Sequence, residues 1–436
     1  MTVASFAILA LVVCIPLLSV ADGLPVVGER GAMGALMIAV GLGLAIVAAS
    51  LRPGETAQLR RALAPVVPLA LVPVVWTIVQ LVPVPGLAHP IWASAASALG
   101  ASVYAPVTID PGATVVALCT WLLALALVLT SAAATIDRGR AEWTLGTLTG
   151  ATAAMALVVV SHDLSGATFL GELQGRTRAA FDTAAALGVV TALAYADLVF
   201  ERYETRHRRG AMSTVALIER LSLALVALLV CVFAVGFFRG GIMLISALSG
   251  AATFALVVVV RRMGGIVWLG WGLAAAGAVV VVMSLAALGG VRDAPLAIRF
   301  AEVAPGRFDA AQRLIADVTA TGTGAGTTAR VLSSYEEGAV SGLPGAPTTV
   351  AALAIELGTA APWIALLMAA VIAGLLIRGA LKRGRDSFYS AAAAGCVVTL
   401  AIGAFHDASL LGLGPMVLAC LVLGLGLAQR LGQSSR

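Results

Sequence analysis

The chain is poor in charge. Of its 436 residues only 11% are Asp, Glu, Lys or Arg, against 60% hydrophobic. A soluble domain carries roughly 25% charged residues. So little polar surface cannot coat a soluble particle, which excludes a water-soluble enzyme and leaves an integral membrane protein. Cysteine is scarce as well. Cys14, Cys119, Cys231, Cys396 and Cys420 all fall inside apolar runs without metal-ligand spacing. They read as small buried hydrophobes and exclude a disulfide framework. There is no nucleophile elbow, no Walker loop, no metal-ligand cluster and no coenzyme fingerprint. The N-terminus lacks a charged leader and a cleavage site, so residues 3–21 read as a retained first span. No 20–50-residue repeat is sustained, and neither end carries a low-complexity tail or a soluble domain.

What is there is a series of apolar runs of about 20 residues, long enough to cross a ~30 Å hydrocarbon layer as helices. Twelve are expected, at 3–21, 33–51, 63–84, 113–134, 142–160, 179–199, 214–237, 241–260, 264–288, 349–377, 388–405 and 410–429. The expected fold is all-α, a single polytopic transmembrane domain over 1–436. The net charge of +5 does not point to nucleic acid, because the basic residues sit in loops between spans. Alternate loops hold 18 of the 27 Lys and Arg, Arg220 included, but only 8 of the 22 acids. Basic loops stay in the cytoplasm. Both termini are therefore expected there, with segments 85–112, 161–178 and 289–348 facing outward and forming the site.

The longest polar stretch runs from Arg307 to Gly358, inside and just beyond the largest of these loops, which is expected to carry short helices. Polar loops on rigid scaffolds carry chemistry. Arginines recur beside the membrane on this side: Arg176, Arg178, Arg239, Arg299, Arg307, Arg313 and Arg330. Arg239, in FFRGGIM, lies between two apolar runs. A guanidinium there either snorkels to the interface or meets an anion, and the spacing leaves both open. For Arg176 and Arg178 a solvated loop is the default. The amides of Thr321–Thr327 (TGTGAGT), with Gly322, Gly324 and Gly326, either cradle phosphate or sugar hydroxyls or form a plain loop, which is the default. Glu356 is an acid in the first turns of an apolar run, so it is a functional candidate or a helix-orienting contact. His406, beside Asp407, is a usable base near neutral pH or part of a short interfacial turn. His89 and His162 are loop residues without an evident partner, and His207 sits in a basic loop.

These pieces, in order, resemble the O-antigen ligase and Wzy-type polysaccharide polymerase superfamily of bacterial inner membranes. QLVPVPGLAHPIW (80–92) and TIDPGAT (108–114) look like the first long outward loop and the next span. GRTRAAFDTAAALG (175–188) stands where that family has an arginine–Phe–Asn segment. FFRGGI (237–242) is similar to its Ser-Arg-Gly-Gly span start, with Phe238 for serine. RFDAAQRLIADVTATGTGAGTTARVLSSY (307–335) resembles its large outward loop: an arginine, an amphipathic helix, a glycine-rich turn and a tyrosine, here Tyr335. AIELG (354–358) and FHDASLLGLGPMVLACLVLGL (405–425) look like its last spans. The likeness departs at Ala346, Pro347 and Thr348, where the family has Ala-His-Asn; that histidine is proposed to activate the acceptor hydroxyl, and proline cannot.

The resemblance implies a metal-independent glycosyltransferase of the GT-C type, without cofactor. Its partners would be an undecaprenyl-pyrophosphate-linked glycan, an acceptor glycan, the lipid bilayer and other polysaccharide assembly proteins. Arg239, Glu356 and His406 would act in catalysis. Arg176, Arg178, Arg307, Arg313, Gly322, Gly324, Gly326 and Tyr335 would bind substrate. Polymerase is the leading expectation, with ligase beside it. A transporter or an inactive scaffold are the readings from other classes.

Overall fold

The computed structural model describes residues 3–21, 26–84, 86–165, 175–207, 214–238, 241–262, 294–301, 305–336, 346–383 and 386–431. Among these, every regular element is a helix. Hydrocarbon demands this, because a backbone without water must satisfy its polar groups within its own segment. Seven helices are long and apolar enough to cross a membrane: Gly31–Ser50, Pro111–Ala134, Arg138–Ser165, Gly175–Glu204, Thr214–Phe237, Gly241–Arg262 and Ala361–Lys382. The pair Pro53–Leu63 and Val67–Leu81, bent by 66°, makes an eighth if taken as one span. Ser5–Ala21, Ser387–Gly403 and Leu413–Gln429 are apolar but shorter. The chain is a polytopic membrane protein with seven or eight helices of spanning length among the described residues, where the apolar pattern suggests about twelve.

Two of the expected spans are interrupted. The run 349–377 is two helices, Thr349–Leu357 and Ala361–Lys382. Gly358 separates them with φ 102°, and a Cβ there would lie 2.0 Å from the Ala320 carbonyl oxygen. The break is thus made against the backbone of another segment, and only glycine leaves room for it. The run 63–84 begins earlier, with the amphipathic helix Pro53–Leu63, and turns at 64–66 before Val67–Leu81. Averaged hydropathy hides both breaks because the residues at them are apolar or neutral. The expected span 264–288 lies outside the described residues.

Helix Gly175–His207 is central, with Phe181, Ala185, Leu187, Val190 and Ala194 fully buried. Helices Gly241–Arg262 and Ser387–Gly403 cross each other beside it through glycines. A Cβ on Gly250 would meet the Gly395 oxygen at 2.6 Å, and one on Gly395 would meet the Gly250 oxygen at 2.6 Å. Close backbone approach through small residues is how helices associate where lipid offers no hydrophobic contrast. All five cysteines are free.

The basic loops gather at one end of the bundle. Asp386, 4% exposed, accepts Arg138 at 2.8 Å and Arg202 at 3.1 Å on one oxygen, and lies 3.8 Å from Arg383 on the other. Arg202 also holds Glu142 at 3.0 Å, and the Gln429 amide donates to the Thr135 carbonyl at 2.6 Å. One carboxylate therefore ties the ends of three segments. Asp386→Asn keeps the shape and tolerates the same left-handed backbone, but leaves Arg383 and Arg138 without a carboxylate among the described residues and takes from Arg202 the carboxylate it holds beside Glu142. Breaking a buried pair costs about 3–5 kcal/mol. We expect a lower thermal midpoint in detergent, and a smaller loss when Arg202→Met is already present; equal midpoints for wild type and Asp386→Asn would refute the hub.

Candidate functional site

The opposite end carries the polar loop. Its amphipathic stretch is the helix Pro305–Asp317, followed by a turn and the short helix Thr328–Ser333. Ala310, Ala311 and Leu314 pack with Leu332, with Ile298, and with Ala351 and Ile355 of the Thr349–Leu357 helix. This small core is separate from the large core of the bundle. It gives the loop a structure of its own and fixes it to the broken span.

The glycine-rich turn is where the loop meets the bundle. The Ile109 amide donates to the Thr323 carbonyl at 2.9 Å. The Thr323 and Gly324 amides donate to the Ile355 and Glu356 carbonyls at 2.8 and 3.1 Å. Gln80, fully buried at the end of Val67–Leu81, closes the joint with its side chain. Its Nε2 donates to the Glu356 carbonyl at 2.8 Å and the Thr321 carbonyl at 3.2 Å, while its Oε1 accepts the Ala325 amide at 3.0 Å. Trp76 Nε1 donates to the Leu357 carbonyl at 3.1 Å. A Cβ on Gly322 would fall 2.3 Å from the Glu356 oxygen, and one on Gly324 2.0 Å from Thr108 Oγ1. The Gly322 and Thr327 amides donate to turn carbonyls at 3.1 and 3.3 Å, and the Thr328 amide donates to Glu356 Oε1 at 3.4 Å. Gly322, Gly324 and Gly326 allow backbones to touch here, which favours the plain-loop reading that stood as the default beside the phosphate or sugar cradle.

Glu356 is partly buried, and its Oε1 accepts the Thr328 hydroxyl at 2.8 Å. It holds the turn's second half, which favours the helix-orienting reading that stood beside the functional one.

The arginines have acceptors inside the protein. Arg178 forks onto Asp163 at 2.6 and 2.5 Å and reaches Asp182 through Nε at 3.2 Å. It is a packed ion cluster instead of a solvated loop residue. His162, which looked unpartnered, ends the Arg138–Ser165 helix with Nδ1 3.2 Å from Asp163. Arg307 pairs with Glu336 at 3.0 Å, Arg313 donates to the Tyr335 carbonyl at 2.9 Å, and Arg330 pairs with Asp110. The Tyr335 hydroxyl donates to Asp317 at 3.0 Å. Arg176 lies in the first turn of Gly175–His207, and Arg239 lies outside the described residues.

His406 is buried, 5% exposed, with Nδ1 3.2 Å from the Phe300 carbonyl. A carbonyl only accepts, so in the neutral ring Nδ1 carries the proton and Nε2 the lone pair. Asp407 does not orient the ring: its Oδ1 accepts the Ser409 amide at 3.0 Å, and its carbonyl accepts the Thr349 amide at 2.8 Å. The Thr348 hydroxyl donates to the Ala297 carbonyl at 2.6 Å and caps the Thr349–Leu357 helix. Pro347 and His406 are therefore bracketed by the same turn, 297–300. Arg299 belongs to it, and its buried Nε has no hydrogen-bond partner. Thr183 bonds Ser409 at 2.7 Å, which links the Arg178 cluster to this region.

The chain matches no protein-family model and no curated protein sequence. Its geometry has to carry the functional reading.

Sequence reasoning passed over Gln80, Asp110, Asp163 and Thr328, and did not single out Arg299. Gln80 left a signal, as the one amide side chain in WTIVQLVPV. The pairing of Asp110 with Arg330, 220 positions away, left none. Gly324→Ala forces a Cβ onto Thr108 at φ 109°, so it should cost about 2 kcal/mol or more, read as a lower thermal midpoint. Glu356→Gln keeps the acceptor for Thr328 and the shape, so its thermal midpoint should stay nearer to wild type than that of Glu356→Ala, which leaves the Thr328 hydroxyl without this acceptor.

Proposed function

We propose that the protein is a glycosyltransferase of the O-antigen ligase and Wzy-type polymerase superfamily. In this reading it moves a glycan from undecaprenyl pyrophosphate to an acceptor sugar on the outer face of a bacterial inner membrane and polymerises an exported polysaccharide. One observation carries the reading. Segments that resemble that family in order, at 80–92, 108–114, 307–335, 354–358 and 405–425, meet in one layer at the loop end of the bundle. Nothing in local sequence requires them to touch.

The reaction this layer would support is a displacement at the anomeric carbon. The acceptor hydroxyl oxygen forms the new bond to that carbon, the bond to the pyrophosphate oxygen breaks, and the lipid pyrophosphate leaves with the electron pair. The hydroxyl proton passes to a base. Pyrophosphate is already a good leaving group, so cationic stabilisation matters more than a nucleophile. Arg239 is the first choice for that contact by resemblance. Arg299 joins it, because it has no carboxylate partner among the described residues whereas Arg178, Arg307 and Arg330 each have one. His406 is the base in this reading: its Nε2 has the lone pair, and it lies beside the turn that contacts Thr348, next to Pro347. A ligase would use the same groups on a different acceptor.

A second reading, transport, draws on a different observation. Two interrupted helices, 53–81 and 349–382, meet at Gln80, Trp76, Glu356 and Leu357, and broken helices meeting at one place mark the binding sites of transporters.

The test is a reconstituted assay with lipid-pyrophosphate-linked oligosaccharide and EDTA, products sized on a gel. A polymerase yields a ladder of longer lipid-linked glycans, abolished by Arg239→Ala. Loss of a general base costs about 10²–10⁴ in rate, so His406→Ala should fall in that range. Transfer only to an added lipid or protein acceptor would mean ligase. Movement of unaltered glycan across liposomes, with no new linkage, would replace the enzyme by a transporter, and an Arg239→Ala protein as active as wild type would overturn the assignment.

A further inference from the structure

At the arginine-rich end, the elbow between Pro53–Leu63 and Val67–Leu81 forms an open surface groove of about 460 Å³. Its lining is almost entirely apolar: Leu59, Leu63, Ala64, Val67 and Pro68, with Thr56 and Arg60 at the edge. The charge beside it is unbalanced. Arg52, Arg60 and Arg61 are exposed, and the one acid of the helix, Glu55, is turned to Arg140 at 3.4 Å and to the Arg52 amide at 2.9 Å. Arg61 donates Nε to the Ala57 carbonyl at 3.3 Å. The Arg60 guanidinium has no acceptor among the described residues.

We propose that this elbow binds one anionic phospholipid of the surrounding leaflet, with an acyl chain in the groove and the headgroup phosphate on Arg60. An apolar slot with one guanidinium at its rim matches a molecule that is hydrocarbon at one end and anionic at the other. The helix carrying Arg60 is amphipathic, with Ala62 and Leu63 buried and the arginines outward, which sets the guanidinium at headgroup level. The site lies at the other end of Val67–Leu81 from Gln80 and the loop-end layer, and does not depend on what that layer does.

Native mass spectrometry of the full chain in detergent tests it, with added phosphatidylglycerol or phosphatidylcholine. Wild type should retain one phosphatidylglycerol in preference to phosphatidylcholine. Arg60→Gln should weaken that retention roughly fivefold, the effect of one basic residue at an anionic surface. Ala64→Trp, which fills the groove and keeps the charge, should weaken it as well, so the outcome does not hang on one variant. Equal retention of the two lipids, retention unchanged in both variants, or displacement by inorganic phosphate at the lipid's concentration would overturn the proposal, the last by showing a phosphate site without a lipid.

Discussion

The structure depends on one constraint: inside a bilayer no water stands ready to satisfy a polar group. A chain with so few charges sends most of them to the two ends of its bundle and lets nearly every buried donor find an acceptor in the chain. Asp386 gathers arginines at one end, and Arg178 is clamped between Asp163 and Asp182 at the other. Glycine has the matching role in the apolar middle, where Gly250 and Gly395 let two helices touch backbone to backbone.

The same constraint explains the joint at the loop end. A span broken at Gly358 exposes carbonyls that hydrocarbon would leave unsatisfied. The turn at 322–328 supplies amides to Ile355 and Glu356, and Gln80 adds two donors and an acceptor. The break and the loop complete each other. A site in this layer is therefore held to the bundle by hydrogen bonds more than by apolar area, since the loop's own core is small.

That balance also shows which residues hold the layer. The glycines, Glu356, Arg178, Arg307 and Arg330 are occupied with the chain itself. Arg299 keeps a buried Nε without a hydrogen-bond partner among the described residues, and His406 sets Nδ1 against the Phe300 carbonyl. Strongly paired arginines would have to give up a carboxylate before meeting an anion, which opposes binding.

The membrane class and the all-helical fold were legible in sequence, because each follows from composition summed over many residues. The amphipathic helix of the loop was legible too, from its period. The breaks at 64–66 and 358 were not, since a break at a neutral residue leaves hydropathy unchanged. Nor were the partners of the arginines: Arg330 with Asp110 and Arg307 with Glu336 look like free cations until the chain is folded. Sequence alone determined which segments leave water and which stay in it. Tertiary structure decided which polar groups cancel each other, because that depends on contacts between residues up to almost 300 positions apart, such as Gln80 with Glu356 and Gln429 with Thr135.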